Sequence, residues 1–167
     1  VGSGPSLKNN VEHLKDTKGI PIISCLHNYH FLKDNDVRVD YWVSLDAGEI
    51  TETEVYEGGS KSREEYFETT KDEKLLAFVG SSPRLLKSWQ GEVLFFNAPI
   101  PDDTIREEFD KIEPFHIYSS TGGNVLGACF YIAKGFCGAN PLIFLGADMS
   151  FSYDKKFHGW ASSYDRK

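Results

Sequence analysis

Short apolar runs alternate with helical stretches along this chain, and the runs stop at glycine, aspartate or serine turns. Residues 21–26, 40–46, 75–79, 93–96 and 142–145 each read as a strand: they are too short and too continuously apolar for an amphipathic helix. Between them, residues 6–18, 63–70, 82–86, 103–112 and 125–136 read as helices, and 27–32 as a short helix or turn. Residues 51–62 are polar around Gly58-Gly59 and read as a mobile loop. This alternation predicts an α/β fold: a mainly parallel sheet with helices on both faces. A sheet of that kind takes its ligands beyond the carboxyl ends of its strands.

The strand ends are therefore where function is expected. Four of them carry informative residues. The chain opens on Gly2-Ser3-Gly4-Pro5-Ser6-Leu7, a tight turn entering the helix at 6–18. Its glycines let backbone approach a ligand, and N–H groups at a helix start attract anions. It lacks the Gly-Lys-Ser/Thr of a Walker loop and is shorter than the dinucleotide fingerprint. Ser6 as an ordinary cap is the structural alternative. The second entrance is Ser119-Ser120-Thr121-Gly122-Gly123-Asn124, before the most apolar helix of the chain. It offers hydroxyls and backbone N–H groups to an anion or a base, or simply caps that helix through Ser120, Thr121 or Asn124. In the helix itself, Val125, Ala128, Cys129, Ile132, Ala133 and Phe136 share one face, which predicts a well-buried element.

Asp46 and Asp148 each end an apolar run. A carboxylate there can hold Mg²⁺ beside phosphates or bind a sugar hydroxyl, and it can equally cap the turn that follows. Asn28 follows the end of the 21–26 run, placed to read a base or ribose; His27 and His30 flank it without a third zinc ligand. His158 lies in a loop beyond the last strand, where a histidine can act as a general base near neutral pH. His13 and His116 read as structural or solvent-facing, and Lys155 and Lys156 as solvated charges or phosphate contacts.

Composition limits the classes of function. A length of 167 residues, 40% apolar and 26% charged, suits one domain over 1–167. Val1 directly before the first turn reads as the end of a truncated strand, and the whole as a fragment. The net charge of −7 argues against a nucleic-acid partner or an anionic membrane surface, which need a basic face. It leaves a nucleotide open, since that needs only local donors. No apolar run reaches the roughly 18 residues of a membrane span. Three cysteines without a close pair, Cys25, Cys129 and Cys137, predict reduced, buried thiols and a cytoplasmic location.

Taken together, Gly-Ser-Gly-Pro-Ser-Leu at 2–7, Val-Ser-Leu-Asp at 43–46, Thr-Gly-Gly-Asn-Val at 121–125 and Phe-Leu-Gly-Ala-Asp at 144–148 followed by His158 occur in a familiar order. The chain resembles the family of motility accessory factor (Maf) proteins and archaeal 6-hydroxymethylpterin diphosphokinase-like (MptE-like) proteins. More distantly, it is similar to bacterial sialyltransferases of the single-Rossmann type. The resemblance implies a Rossmann-like fold that binds a nucleotide-activated small molecule. On the sialyltransferase side it implies transfer of a sialic-acid-like sugar from a CMP-sugar. Gly2, Ser3, Gly4, Pro5, Ser6 and Asn28 would then face the nucleotide, with Ser120, Thr121, Gly122, Gly123 and Asn124 opposite. His158 would be the base that deprotonates the acceptor, and Tyr153 or Tyr164 would stabilise departing CMP. Ser3 stands where that family has an asparagine. On the diphosphokinase side the resemblance implies ATP as donor, a pterin hydroxymethyl group as acceptor, and Mg²⁺ on Asp46 and Asp148. Asp46 matches the diphosphokinase and Maf proteins better than the sialyltransferases. Sugar transfer from a CMP donor is the first reading, the Mg²⁺-dependent diphosphokinase the second, and a nucleotide-binding module without turnover the third.

Overall fold

A computed structural model of the chain describes residues 1–97, 103–112 and 124–150. Four strands, β1 (Ile23–Cys25), β2 (Tyr41–Ser44), β3 (Lys74–Phe78) and β4 (Glu92–Phe96), form one sheet in the order β1-β2-β3-β4. Every pairing is parallel, with Cys25 opposite Val43, Val43 opposite Leu76 and Leu76 opposite Leu94. The fold is Rossmann-like α/β, as the alternation of runs and helices predicts.

The first residues extend this sheet beyond β1. The Val1 amino nitrogen donates to the Ile23 carbonyl at 2.6 Å, and the Val1 carbonyl accepts from Cys25 N–H at 3.1 Å. On the far side of Val1, Gly2 and Gly4 donate to the carbonyls of Leu145 and Gly146, each at 2.8 Å. The run at 142–145 therefore lies beside the first turn, but it is not a regular strand. The physical reason is its neighbour: the stretch Val1–Gly4 turns into a helix after a few residues, and Gly146 itself turns at φ +66°. The backbone thus runs from Val1 to β1 on one side and to residues 142–146 on the other. Such a divergence in a parallel sheet opens a crevice at its carboxyl edge.

Strand residues alternate between the two faces. Trp42, Leu75 and Ala77 point to one, where α1 (Ser6–Asn10), α2 (Glu12–Lys15), α3 (Tyr29–Asp34), α4 (Arg63–Glu68) and α5 (Pro83–Ser88) bring Leu7, Leu14, Leu32, Phe67 and Leu85. Ile23, Cys25, Val43, Leu76 and Phe78 point to the other, where α7 (Val125–Tyr131) supplies Ala128 and Cys129. The remaining helix, α6 (Asp103–Ile112), follows β4 in the chain.

Further expectations are overturned by the structure. The helix at 6–18 divides into α1 and α2 and stops at Lys15; Val11 between them keeps helical dihedrals and buries its side chain. The stretch expected as a mobile loop contains a 3-10 helix over Glu49–Val55, with Thr51 and Val55 buried. Glu52 anchors that helix: its Oε1 accepts from Ser88 Oγ of α5 at 2.6 Å and pairs with Arg63 of α4. A polar segment is held here by a buried carboxylate with partners on two helices, a long-range effect that local polarity does not announce. The helix expected over 125–136 is regular only to Tyr131 and widens into a π turn over Ile132–Phe136. The changed period rotates Phe136 off the inner face, so it is exposed. Cys137 after it is exposed as well, whereas Cys25 and Cys129 are buried as expected.

Candidate functional site

A cleft of about 520 Å³ opens at the carboxyl edge, where Val1 diverges from its two neighbours. Gly2, Ser3 and Gly4 form one wall, and Asn124, Val125 and Leu126 at the start of α7 form a second. The ends of β1 and β2 contribute Cys25, His27, Ser44 and Asp46, the 3-10 helix contributes Glu54, and Gly146 with Ala147 and Met149 closes the rim. Most of this lining is apolar, with polar groups concentrated at Ser3, His27, Asp46 and Glu54. That is the usual composition of a small-molecule site: apolar walls and a few oriented polar atoms.

The glycines are there because backbone meets backbone. A Cβ on Gly2 would come within 2.4 Å of the Gly146 carbonyl oxygen, and one on Gly4 within 2.4 Å of Asp148 Oδ2. No side chain fits either position without moving the 146–148 turn.

Asp148 takes the capping role. Its Oδ2 accepts from the Ser6 N–H at 2.7 Å and its Oδ1 from Ser6 Oγ at 2.6 Å. The carboxylate therefore occupies the start of α1, the place that the sequence offers to a phosphate, and it does not line the cleft. Pro5 and Ser6 also lie behind the wall rather than on it. Asn28 is fully buried beneath the turn. Its Nδ2 donates to the Gly2 carbonyl at 3.2 Å and to Ser24 Oγ at 3.0 Å, while its Oδ1 accepts from Ser3 Oγ at 2.9 Å. Asn28 thus braces Gly2 and Ser3 from below. Asn124 lines the cleft and also caps α7, accepting from the Gly127 N–H at 2.7 Å. Ser120, Thr121, Gly122, Gly123 and His158, together with Tyr153 and Tyr164, lie outside the described residues.

Asp46 is the expected carboxylate that does reach the cleft. Burial pushes its pKa up, the negative charge of Glu54 pushes it further, and His27 opposes both. Glu54 and His27 are themselves nearly buried, with Glu54 Oε1 and His27 Nδ1 3.7 Å apart. The sequence pattern assigns Glu54 no role, because 51–62 reads as a loop. The signal it carries is weak: Thr51 and Val55 stand one helical turn apart, flanking the glutamate. Among the described residues, no group of three or more His, Cys, Asp or Glu side chains is arranged to hold a metal ion by itself.

The fold and the cleft define a Rossmann-like α/β protein with a cleft at the divergence of its strands. Within that class the chain belongs to the MptE-like family: a family model described as "6-hydroxymethylpterin diphosphokinase MptE-like" matches residues 1–154. No curated protein and no solved structure matches it. The family match bears out the MptE-like part of the resemblance and carries nothing of the sialyltransferase part. Among the described residues no helix is long and apolar enough to cross a membrane.

Proposed function

We propose that this protein is a diphosphokinase-like transferase that moves a diphosphate group from ATP to the hydroxymethyl group of a pterin. The observation that carries this reading is the family match over residues 1–154, which favours it over sugar transfer from a CMP donor. The cleft supports it. Its apolar walls suit a flat heterocycle.

The donor set fits Mg²⁺ only in part. Asp46 offers hard oxygen ligands at the cleft, whereas both oxygens of Asp148 are occupied by Ser6. Mg²⁺ commonly binds one or two carboxylates, with waters and substrate phosphates completing its shell. Asp46 would hold the ion on that basis, with Glu54 as the nearby second carboxylate. Bound there with ATP, the metal would offset phosphate charge. The protein's own part is positioning. Asp46 and Glu54 fix the polar end of the cleft, Asn28 keeps Ser3 and Gly2 in place, and the apolar walls hold the acceptor. The acceptor hydroxyl gives its proton to water as its oxygen bonds to the β-phosphorus, the bond from the β-phosphorus to the α–β bridging oxygen breaks, and AMP departs.

The test is an AMP-release assay with ATP, Mg²⁺ and a 6-hydroxymethylpterin offered in oxidised and reduced forms. AMP, rather than ADP, is expected, and only with both pterin and metal. Asp46→Asn is expected to lower the rate by at least about 100-fold, as loss of a charge-stabilising group does, without lowering the melting temperature. Consumption of a CMP-sugar, with no AMP from ATP under any of these conditions, would replace this reading by sugar transfer.

A further inference from the structure

Two of the three cysteines meet just behind the cleft. Cys25 ends β1 and lines the cleft; Cys129 lies on the inward side of α7. Both are buried in the small apolar cluster of Val43, Phe96, Ala128 and Ile132, where α7 packs against β1. Cys137 is exposed and stands apart from that cluster. The two thiols differ in access: Cys25 borders open space, and Cys129 sits behind it.

We propose that Cys25 and Cys129 form a dithiol modification site at the cleft floor, which a low-molecular-weight disulfide converts into an intramolecular Cys25–Cys129 disulfide. The proposal stands whatever reaction the cleft carries. A small disulfide enters the cleft and meets Cys25 first. The Cys25 thiolate attacks one of its sulfurs, forming a mixed disulfide and releasing the first small thiol. Cys129 gives up its proton, attacks the Cys25 sulfur and releases the second. Two protein thiols are oxidised to one disulfide, and one small disulfide is reduced to two thiols. The proximity of the two thiols favours this order: Cys129 holds the pKa of Cys25 down, while Cys25 and burial push that of Cys129 up. The product ties α7 to β1 beside Asn124, Val125 and Leu126, so oxidation would fix the α7 wall of the cleft relative to the strand ends.

Oxidised glutathione is the probe, applied to the folded protein and to a Cys137→Ser variant that removes the exposed thiol. In the wild type, Cys137 is expected to take up glutathione as a mixed disulfide. In Cys137→Ser the free-thiol count is expected to fall from two to none. The intact mass should be lower by two hydrogen atoms with no glutathione retained, and one peptide should join Cys25 to Cys129. Dithiothreitol should restore both thiols. Adding Cys129→Ala should leave a stable glutathione adduct on Cys25. That arm reads the order of attack even if the variant is less stable. Two unreacted thiols in Cys137→Ser, or glutathione retained on Cys25 while Cys129 is free, would overturn the proposal.

Discussion

Trp42 and Val43 are adjacent in β2, both fully buried, and point into opposite halves of the molecule. On the Trp42 side five helices cover the sheet. The indole packs at a tilt of 51° against Tyr29 with ring centroids 4.6 Å apart, and its N–H donates to Glu73 Oε2 at 2.8 Å. Glu73 Oε1 takes Lys33 Nζ at 2.5 Å, so this half-buried carboxylate is satisfied from two directions. On the Val43 side, α7 supplies small side chains, Ala128 and Cys129, and leaves the cleft open at the strand ends. Among the described residues, one face supplies most of the packing and the other carries the cleft. The difference teaches that the fold and the site draw on opposite sides of the same strands.

The largest expected effect tests that asymmetry directly. Trp42→Ala should cost about 3–5 kcal/mol, through the cavity it leaves and the Glu73 carboxylate it strips of a donor. Val43→Ala should cost about 2 kcal/mol, as expected for a smaller buried side chain. Urea unfolding of the two variants against wild type checks this. Equal losses would mean that the thin face carries as much of the fold as the thick one.

A somewhat smaller effect belongs to His30, buried on the thick face against Tyr66. Burial, with the nearby charge of His27, lowers its pKa to about 4, and Asp34 opposes this only in part. The native state therefore holds His30 neutral, while the unfolded chain protonates it near 6.5. Between those values the unfolded state binds more protons. Stability is then fully present above pH 6.5 and is lost as pH falls towards 4, by about 3 kcal/mol at most. Urea midpoints measured from pH 7 down to 4 should fall less steeply in His30→Gln than in wild type.

The smallest effect lies behind the cleft, at the start of α1. Asp148→Ala removes the acceptor for Ser6 and should cost about 1 kcal/mol, in the range of a lost helix cap. Asp148→Asn keeps an acceptor and should cost less. If ATP binding disappears in Asp148→Asn while the melting temperature holds, Asp148 is a ligand as well as a cap. The start of α1 would then contact the substrate through the same carboxylate that caps it.

Much of the fold is legible in the amino-acid pattern. The strands at Ile23–Cys25, Tyr41–Ser44, Lys74–Phe78 and Glu92–Phe96 fall within or beside the apolar runs that predict them. Their parallel pairing follows from the helical stretches between them. Asp46 and the first turn are legible at the site for the same reason: each ends a run. Glu54 is not, because a 3-10 helix held by Glu52, Ser88 and Arg63 has no period that a short window detects. Nor is the placement of Asp148, whose carboxylate bonds Ser6 across most of the chain's length.

By itself, then, the sequence determined the class of fold, the edge of the sheet that carries the cleft and the glycines that line it. Those depend on local pattern: apolar runs, turn residues and the side on which a parallel strand ends. Tertiary structure alone decided which carboxylate reaches the cleft, that Asn28 braces the turn from beneath it, and that Cys25 meets Cys129. Each of these depends on segments distant in the chain, where the outcome follows from how two faces pack rather than from any neighbour in sequence.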